Sequence, residues 1–397
     1  MTENSGNSAI LDYGIVYFGN DWFAENRTSS HHIARRLAKH VPLLYVDSPG
    51  MRAPSSSARD ITRIWRKLRE AFRKPQQVDA QLWHCTVPQI PFRNFPGIKT
   101  INKAFGIWAV KRALRHVRIT KCISWFVVPH PGFMAKQLDE ALCIYYCIDN
   151  YAAYPGVDSK WVAEADLALT VNADHVFVAS PLVLEVKKQQ SKSTSFSPHG
   201  VDVELFKRAM DPATVVPAEL RNLPRPIIGY FGLIGQWMDV ELVAWLARSR
   251  PTWTFLLVGH VFTDVSLLTV LPNVKLVGPK PYEDLPAWAK SFDVAIIPFR
   301  MNEWVKNLNP LKLREYLATG KPVVTVSNAE IERFSEWVRI ATSHEAFLQA
   351  IDASLVPEPE GAAMQRISVV MPMTWDNRVV EIMATVSRML ELKTSAH

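Results

Sequence analysis

The chain has 397 residues, of which 48% are hydrophobic and 21% are charged, and this length exceeds what one ordinary hydrophobic core supports. The composition excludes a disordered or fibrous chain, and no apolar run reaches the roughly 18 residues that a membrane-spanning helix needs. The formal net charge of +7 favours anionic partners such as phosphates or an acidic lipid surface.

The N-terminal sequence MTENSGNSAILDYG has neither the basic start nor the long apolar run of a signal peptide. We therefore expect a cytoplasmic protein, with a peripheral position at the inner face of the plasma membrane as one alternative. The four cysteines lack the paired spacing of a metal site and are too few for a disulfide scaffold, so we expect reduced thiols in a core. These cysteines are Cys85, Cys122, Cys143 and Cys147.

Strands and helices alternate from the start of the chain. Residues 13–18 form a predicted buried strand, a helix begins at Ser29 or Ser30, and residues 41–49 form a second strand. This β-α-β unit implies a parallel sheet. Next, residues 61–75 (ITRIWRKLREAFRKP) predict a basic helix with an aromatic and aliphatic stripe. Such a helix can lie in an anionic membrane interface, or it can pack its stripe on its own domain.

The alternation continues to the end of the first half. We predict strands over 82–87, 122–128, 143–150, 166–172 and 175–180, and helices over 101–116 and 130–142. Alternating elements of this kind describe a doubly wound α/β domain.

A proline-rich stretch divides the chain into two domains. We predict an N-terminal domain over 1–200, a linker over 201–225, a C-terminal domain over 226–372 and a final helix over 373–397 that crosses back to the first domain. The fold class is thus α/β, with two doubly wound Rossmann-like domains facing across a cleft. Ligands of such sheets bind at the carboxyl ends of strands, so the loops there are the places to search.

The second domain contains the strongest candidate for a phosphate site, in the sequence NPLKLREYLATGKPVV. A helix that begins near Pro310 exposes its free amides and the positive end of its dipole, and Lys312 adds a full positive charge in the first turn. Glu315 can accept hydrogen bonds from the vicinal hydroxyls of a ribose. The alternative is a surface pair of Lys312 and Glu315, which is worth only about 0.2–0.5 kcal/mol.

Glycines follow the first strand of this domain in the sequence IGYFGLIGQ. Gly229, Gly232 and Gly235 allow backbone amides to approach a diphosphate closely, although a structural tight turn would use the same residues. The spacing is not that of a dinucleotide-binding Rossmann motif, and no P-loop lysine motif occurs.

Four stretches together resemble the GT-B glycosyltransferases of the family 4 type: SPHGVDVELF, IGYFGLIG, LPNVKLVGPKPYEDLPAWAKSFDVAIIPF and NPLKLREYLATGKPVV. The resemblance implies a retaining, nucleotide-sugar-dependent hexosyltransferase in cell-envelope or exopolysaccharide synthesis. That family carries two glutamates separated by seven residues. Glu315 matches the second, which holds the ribose, whereas Asn307 occupies the position of the first, which contacts the sugar.

The resemblance also implies which further residues face the donor or the acceptor. Around the diphosphate these are Gly19, Gly232, Gly235, Asn307, Asn309, Pro310, Leu311, Lys312 and Glu315. His130 and Asp149 follow strands of the first domain and are the catalytic candidates. Asp149 could act as a base on the acceptor, or it could be a turn aspartate.

His31 and His32 are weaker candidates for contacts with the acceptor. The predicted partners are a nucleotide sugar and a lipid-linked or polysaccharide acceptor, without nucleic acid and without a cofactor beyond the donor. The chain has no Asp-x-Asp tripeptide, so we expect no metal site. Two alternatives stay open: an isomerase like the nucleotide-sugar 2-epimerases, and a non-catalytic protein that binds sugar nucleotides.

Overall fold

The computed structural model describes residues 9–24, 27–47, 73–87, 97–154 and 156–395. The chain divides into two compact units, the first formed by 1–198 with 378–397 and the second by 199–377. Each unit has its own sheet, with helices connecting parallel strands, which confirms the predicted α/β class. The predicted basic helix over 61–75 lies outside the described residues except for its last three positions.

The first unit is built on an eight-stranded sheet with the order β3-β4-β2-β1-β5-β6-β7-β8. Neighbouring strands are parallel except for the antiparallel pair β3 and β4. The strand order reverses between β1 and β5, which makes their carboxyl ends the topological switch point. The strands are β1 (Gly14–Gly19), β2 (Leu43–Asp47), β3 (Gln76–Asp79), β4 (Leu82–Thr86), β5 (Cys122–Phe126), β6 (Leu142–Cys147), β7 (His175–Val178) and β8 (Thr194–Phe196).

Aromatic side chains hold the middle of this sheet together. Tyr17 on β1 stacks on Tyr45 at 5.3 Å and on Trp125 at 6.1 Å between ring centroids, because β2 and β5 place those residues beside it in register. Trp125 stacks in turn on Phe177 at 5.8 Å. The helices of this unit are α1 (Ser29–Leu37), α2 (Ile98–His116), α3 (Ser159–Asn172) and α4 (Pro181–Gln190).

The helix predicted over 130–142 is wrong. The structure has only a short 3-10 turn there, because Lys136 and Asp139 adopt φ values of 62° and 58° that interrupt a right-handed helix. The Glu140 carboxylate accepts hydrogen bonds from the amides of Lys136 and Leu138, which replaces the missing helical carbonyls. The apolar spacing of this segment therefore reflects packed turns.

The strand predicted over 166–172 is also wrong, since these residues form the second half of α3. Leu169 is buried, whereas Leu167 and Val171 on either side are 45% and 49% exposed. The apolar residues at alternate positions imitate a strand in the sequence, but the segment is continuous with the helix that Asp158 caps by accepting from the Trp161 amide.

The second unit is built on a six-stranded, fully parallel sheet with the order β11-β10-β9-β12-β13-β14. Its strands are β9 (Ile227–Phe231), β10 (Thr254–Val258), β11 (Val274–Leu276), β12 (Val294–Ile297), β13 (Val323–Thr325) and β14 (Arg339–Ile340). Its helices are α5 (Val203–Lys207), α6 (Val240–Ser249), α7 (Ser266–Thr269), α8 (Leu285–Ala289), α9 (Glu303–Asn307), α10 (Leu311–Ala318), α11 (His344–Ser354) and α12 (Ala362–Val370).

The residues predicted as a linker, 201–225, lie within the second unit. Helix α5 belongs to this stretch, and its Phe206 is fully buried, stacked on Phe231 of β9 at 5.6 Å. The proline-rich residues 201–225 are therefore part of the packed second unit.

The chain ends in the long helix α13 (Trp375–Ser395). Its residues from 378 onward belong to the first unit. There Ser387 accepts a hydrogen bond from the Ile10 amide at 3.3 Å, and Lys393 donates to the Ala141 carbonyl at 2.6 Å. No helix within the described residues is both long and apolar enough to cross a membrane.

Candidate functional site

The strand order of the second sheet reverses beside β9. From β9 the chain moves outward through β10 and β11 on one side, and through β12, β13 and β14 on the other. The carboxyl ends of β9 and β12 are therefore the switch point where ligands of doubly wound sheets bind. Helix α10, which the chain enters after β12, brings Lys312 and Glu315 to this edge.

Lys312 lies directly over the glycine that follows β9. A Cβ atom at Gly232 would be 2.1 Å from Lys312 Cε and 2.6 Å from its Nζ, so a side chain there would displace the end of the lysine. The φ of Gly232, +127°, is also one that L side chains rarely adopt. Lys312 Nζ lies 5.4 Å from the centroid of the Tyr230 ring. The structure thus brings together two of the predicted donor-binding residues.

The backbone amide of Gly232 takes part in sheet hydrogen bonding. It donates to the Val258 carbonyl at 2.8 Å, which extends the pairing of β9 with β10. A Cβ atom at Gly259 would be 1.9 Å from the Gly232 carbonyl oxygen, so the two loops cross closely. This amide is therefore engaged within the sheet, and what Gly232 leaves open is the space beside Lys312.

Glu315 belongs to a polar cluster one turn further along α10. Glu315 is half-buried, and a hydrogen bond from Tyr282 lowers its pKa; the Tyr282 hydroxyl also donates to Asp202 Oδ2 at 3.3 Å. One phenol hydroxyl carries a single proton, so Tyr282 can donate to only one of the two carboxylates at a time. The cluster therefore holds two acidic groups around one donor.

Burial raises the pKa of Glu315 to about 7. The positive charge of Lys312 opposes this rise, the negative charge of Asp202 adds to it, and the hydrogen bond from Tyr282 opposes it. A carboxyl group poised near neutrality beside a lysine is the kind of perturbed group that concentrates at functional sites.

The start of α10 is supported by a buried ionic network. The Arg314 guanidinium is 1% exposed, donates to Asn309 Oδ1 at 2.6 Å and pairs with the buried Glu330. Arg333 donates to the second oxygen of Glu330 at 3.0 Å. The side-chain carbonyl of Asn309 thus faces the protein interior and supports the helix.

Three other predicted donor residues lie around the same helix start. Pro310 is the N-cap of α10 and Leu311 its first residue, as the sequence predicts. Asn307, the last residue of α9, donates through Nδ2 to the Glu303 carbonyl at 2.6 Å. Asn307 occupies the position of the first glutamate of the family 4 enzymes. Its side chain is used, at least in part, to close the short helix α9.

The other two glycines of IGYFGLIGQ have packing roles. A Cβ atom at Gly229 would be 2.1 Å from the Phe292 ring, and one at Gly235 would be 2.4 Å from the Trp237 ring. The absence of a side chain at these two positions accommodates aromatic neighbours within the unit.

Gly19 ends β1 at the switch point of the first sheet. A Cβ atom there would be 2.1 Å from the Tyr45 hydroxyl and 2.8 Å from Ser30 Oγ, so the glycine is required by packing. The Tyr45 hydroxyl donates to the Asn20 carbonyl at 2.8 Å. The predicted diphosphate contact of Gly19 has no independent support from this geometry.

Asp149 follows β6 and is buried. Its Oδ1 accepts from the Asn150 amide at 2.8 Å and its Oδ2 accepts from the Tyr154 hydroxyl at 2.6 Å. Both hydrogen bonds stay within the turn that leaves the strand. This arrangement favours the turn aspartate over a base acting on the acceptor.

His130 is buried behind the carboxyl end of β5 and lines a pocket of about 860 Å³ within the first unit. Its ring centroid lies 6.3 Å from that of Trp161. The wall of this pocket also includes Asn102 from α2 and Glu164 from α3. Among the candidates predicted in the first unit, His130 therefore lines a pocket large enough for a ligand.

His31 and His32 are buried at the start of α1. His31 Nδ1 interacts with the backbone and hydroxyl of Thr28 in a capping box, and its Nε2 lies 3.0 Å from the Asp21 carbonyl oxygen. Burial lowers the pKa of both histidines. These contacts indicate a structural role instead of contact with an acceptor.

Sequence reasoning missed Asp202 and Tyr282. Tyr282 begins a short 3-10 turn before α8, and Asp202 is the N-cap of α5. Both fall within stretches that carry the family resemblance, but no spacing rule connects either residue with Glu315. Only the packing of α5 and α8 around β9 brings them together.

Comparison with known proteins agrees with this architecture. Residues 225–356 match the family described as Glycosyl transferases group 1. The chain is 26% identical over 302 residues to the putative teichuronic acid biosynthesis glycosyltransferase TuaH of Bacillus subtilis strain 168, a match that covers 65% of this chain and 75% of that protein.

Solved structures with the GT-B fold match almost the whole chain. Sucrose-phosphate synthase from Thermosynechococcus elongatus has a TM-score of 0.69 at 16% identity, covering 96% of this chain and 99% of that one. HepE of Anabaena, solved with UDP and glucose, has a TM-score of 0.65 at 14% identity with the same coverage. The structure of trehalose-6-phosphate from E. coli bound with UDP-2-fluoro glucose has a TM-score of 0.66 at 10% identity, covering 94% of this chain and 99% of that one.

Proposed function

We propose that this chain is a glycosyltransferase that moves a hexose from a nucleotide-diphosphate sugar to a lipid-linked or polysaccharide acceptor of the cell envelope. The match of residues 225–356 to the glycosyl transferases group 1 family, the similarity to TuaH and the GT-B fold support this proposal. The name of TuaH supports the envelope glycan, and the UDP in the HepE structure makes UDP-sugars the first donors to test. The matches favour a transferase over the isomerase and the silent binder.

The convergence of Lys312, Gly232 and Glu315 at one switch point is the observation that supports this function most directly. The lysine and the start of α10 neutralise the diphosphate, whose negative charge grows as the sugar leaves with oxocarbenium character. Glu315, when ionised, accepts hydrogen bonds from the ribose hydroxyls. We propose that the sugar lies beyond Asn307 and that transfer proceeds with retention and without a metal ion.

Nucleotide release from a panel of UDP-, GDP- and dTDP-sugars tests the proposal, with a membrane extract of lipid-linked glycans as acceptor. We expect acceptor-dependent release of one nucleoside diphosphate that chelation with EDTA leaves unchanged. A changed sugar without release would establish the isomerase, and binding without either would establish the silent binder. Loss of turnover on chelation would refute metal independence alone.

We further propose a cytoplasmic protein that associates with the inner face of the plasma membrane through 61–75. The basic, amphipathic sequence of this stretch supports the proposal. Changing Arg66, Lys67 and Arg69 to Glu should reduce sedimentation with anionic liposomes. Unchanged sedimentation of this variant would refute a role for the stretch.

A further inference from the structure

The loop after β1, residues 20–24, is tied to the neighbouring strand β2 at the carboxyl edge of the first sheet. The Asn20 carbonyl accepts from the Tyr45 hydroxyl at 2.8 Å. The Trp22 amide donates to Asp47 Oδ1, also at 2.8 Å. Trp22 is 6% exposed, and the centroid of its ring lies 4.7 Å from that of Tyr45. Backbone and side-chain contacts therefore anchor this loop to β2.

The residue after this anchor, Phe23, is exposed instead of buried. Phe23 is 59% exposed, and its backbone amide donates to Asp21 Oδ1 at 3.1 Å. Its ring meets the ring of His84 on β4 edge-on, with centroids 4.9 Å apart and an interplanar angle of 74°. A single exposed phenylalanine is common on protein surfaces. Phe23 differs because an anchored loop and a buried histidine hold its ring in place.

His84 is in turn fixed by the same aspartate that anchors the loop. Its Nε2 lies 2.7 Å from Asp47 Oδ2, while Asp47 Oδ1 accepts from the Trp22 amide. Asp47 is the last residue of β2, and its side chain is 14% exposed. One carboxylate thus joins the loop, the strand end and the histidine that contacts Phe23. The exposed ring is therefore preorganised, which limits the entropy that binding a ligand costs.

The surroundings of Phe23 match the chemistry of a neutral sugar. A pyranose ring has a face of C–H groups, which gains free energy when it covers an aromatic ring. Its hydroxyl groups need acceptors, and the carboxylate of Asp21, an exposed residue, lies beside the Phe23 backbone. A phosphate group would instead be repelled by the charges of Asp21 and Asp47. This combination favours the glycan part of a substrate over its phosphate part.

We propose that Phe23 is a specificity-determining residue for the acceptor: a neutral sugar of the acceptor glycan lies on the Phe23 ring and donates a hydroxyl hydrogen bond to Asp21. This inference rests on the proposed function, because a transferase that holds its donor on the second unit needs a place for its acceptor. The loop that carries Phe23 lies at the carboxyl edge of the first sheet, and doubly wound sheets bind ligands at that edge.

Acceptor kinetics of the full-length chain test the proposal. A membrane extract of lipid-linked glycans is varied at a saturating concentration of the nucleotide sugar that supports transfer. Phe23→Ala should raise the half-saturating amount of extract by about tenfold, because the sugar loses the aromatic surface that it covers. The KM of the nucleotide sugar, and kcat at saturating extract, should stay within about twofold of wild type.

Two further variants separate the ring from general effects on the surface. Phe23→Tyr keeps the aromatic face and should retain the half-saturation of wild type. Phe262→Ala is the matched control, since Phe262 is a phenylalanine of the second unit that is 66% exposed. This variant should also behave as wild type. The thermal midpoints of all three variants should stay close to that of wild type, because neither ring is buried.

Direct binding of simple sugars tests the site without turnover. Saturation-transfer NMR uses the methyl glycosides of glucose, galactose, mannose and N-acetylglucosamine as neutral probes, and methyl glucuronide as an anionic probe. At least one neutral probe should give a signal that Phe23→Ala loses and Phe262→Ala keeps. The glucuronide should give a weaker signal than the glucoside, and Asp21→Asn should reduce that difference because it removes a repelling charge.

Three results overturn the proposal: wild-type half-saturation in Phe23→Ala, an equal loss in Phe262→Ala, or no signal from any neutral methyl glycoside with the wild-type chain. A stronger signal from the glucuronide than from the glucoside overturns the assignment to a neutral sugar. If the wild-type chain neither binds nor turns over any nucleotide sugar, the proposed function fails. The methyl glycosides then decide the Phe23 site by themselves, because their binding requires no donor.

Discussion

The carboxyl edges of the two sheets are built from similar topology but use their polar residues differently. At the second sheet, Lys312 and Glu315 reach the switch point from a helix, and their charged groups have one another and Tyr282 as neighbours. At the first sheet, Asp149 is satisfied by its own turn. The position of a charged residue after a strand is therefore not enough to indicate a ligand site, since the turn itself can account for its hydrogen bonds.

The first test removes the buried ion pair of Arg314 and Glu330, which supports the start of α10 at the second sheet. Arg314→Met leaves the buried Glu330 without its buried partner, so we expect a loss of about 3–5 kcal/mol in the free energy of unfolding. Urea unfolding monitored by tryptophan fluorescence measures it. Arg333→Met removes the half-exposed partner of the same glutamate and should cost only about 1 kcal/mol or less. Equal losses in both variants would contradict a special role for Arg314.

The second test removes the charge proposed to hold the diphosphate. Lys312→Met should weaken binding of a UDP-sugar by roughly 10- to 100-fold, because a charge-assisted contact contributes about 1.5–3 kcal/mol. The thermal midpoint should change little, since the ammonium group lies at a half-buried surface. Isothermal calorimetry measures the affinity, and Lys306→Met, which removes a lysine paired with Glu303 on α9, is the control. If Lys312→Met bound the UDP-sugar with wild-type affinity, the assignment of the diphosphate site to Lys312 would be wrong.

The third test asks whether Asp149 is structural. Asp149→Asn weakens the hydrogen bond from Tyr154, so we expect a loss of about 1–2 kcal/mol in unfolding free energy and unchanged donor affinity. Tyr154→Phe should destabilise the first unit to a similar degree. A fall in kcat of about 100-fold or more in Asp149→Asn, without such a fall in Tyr154→Phe, would instead establish a catalytic base.

The smallest expected effect concerns pH. Because the pKa of Glu315 is raised to about 7, its carboxylate predominates above that pH and is lost below it. Affinity for a UDP-sugar, whose diphosphate does not titrate in this range, should rise by up to about tenfold between about pH 6 and about pH 8. Glu315→Gln should make the affinity independent of pH.

Asp202→Asn sharpens this pH test. The charge of Asp202 raises the pKa of Glu315, so its removal should move the midpoint of the affinity profile to lower pH. An unchanged midpoint in Asp202→Asn, or an undiminished pH dependence in Glu315→Gln, would assign the titration to another group.

The sequence by itself determined the alternation of strands and helices, the start of α10 at Pro310 and the pairing of Lys312 with Glu315 on one helix. These follow from hydrophobic periodicity, proline geometry and spacing, which are local properties. It failed over 130–142 and 166–172, where turns and a half-exposed helix produced apolar spacings that imitate other elements.

Only the tertiary structure decided what each candidate side chain touches. Gly232 lies against Lys312 of α10, Asn309 is engaged by Arg314, and Asp202 is linked to the Glu315 cluster by Tyr282. These contacts join residues far apart in the chain, and no periodicity or spacing encodes them. Burial then sets the charge state, since the pKa of a carboxyl group depends on how much water and which charges surround it.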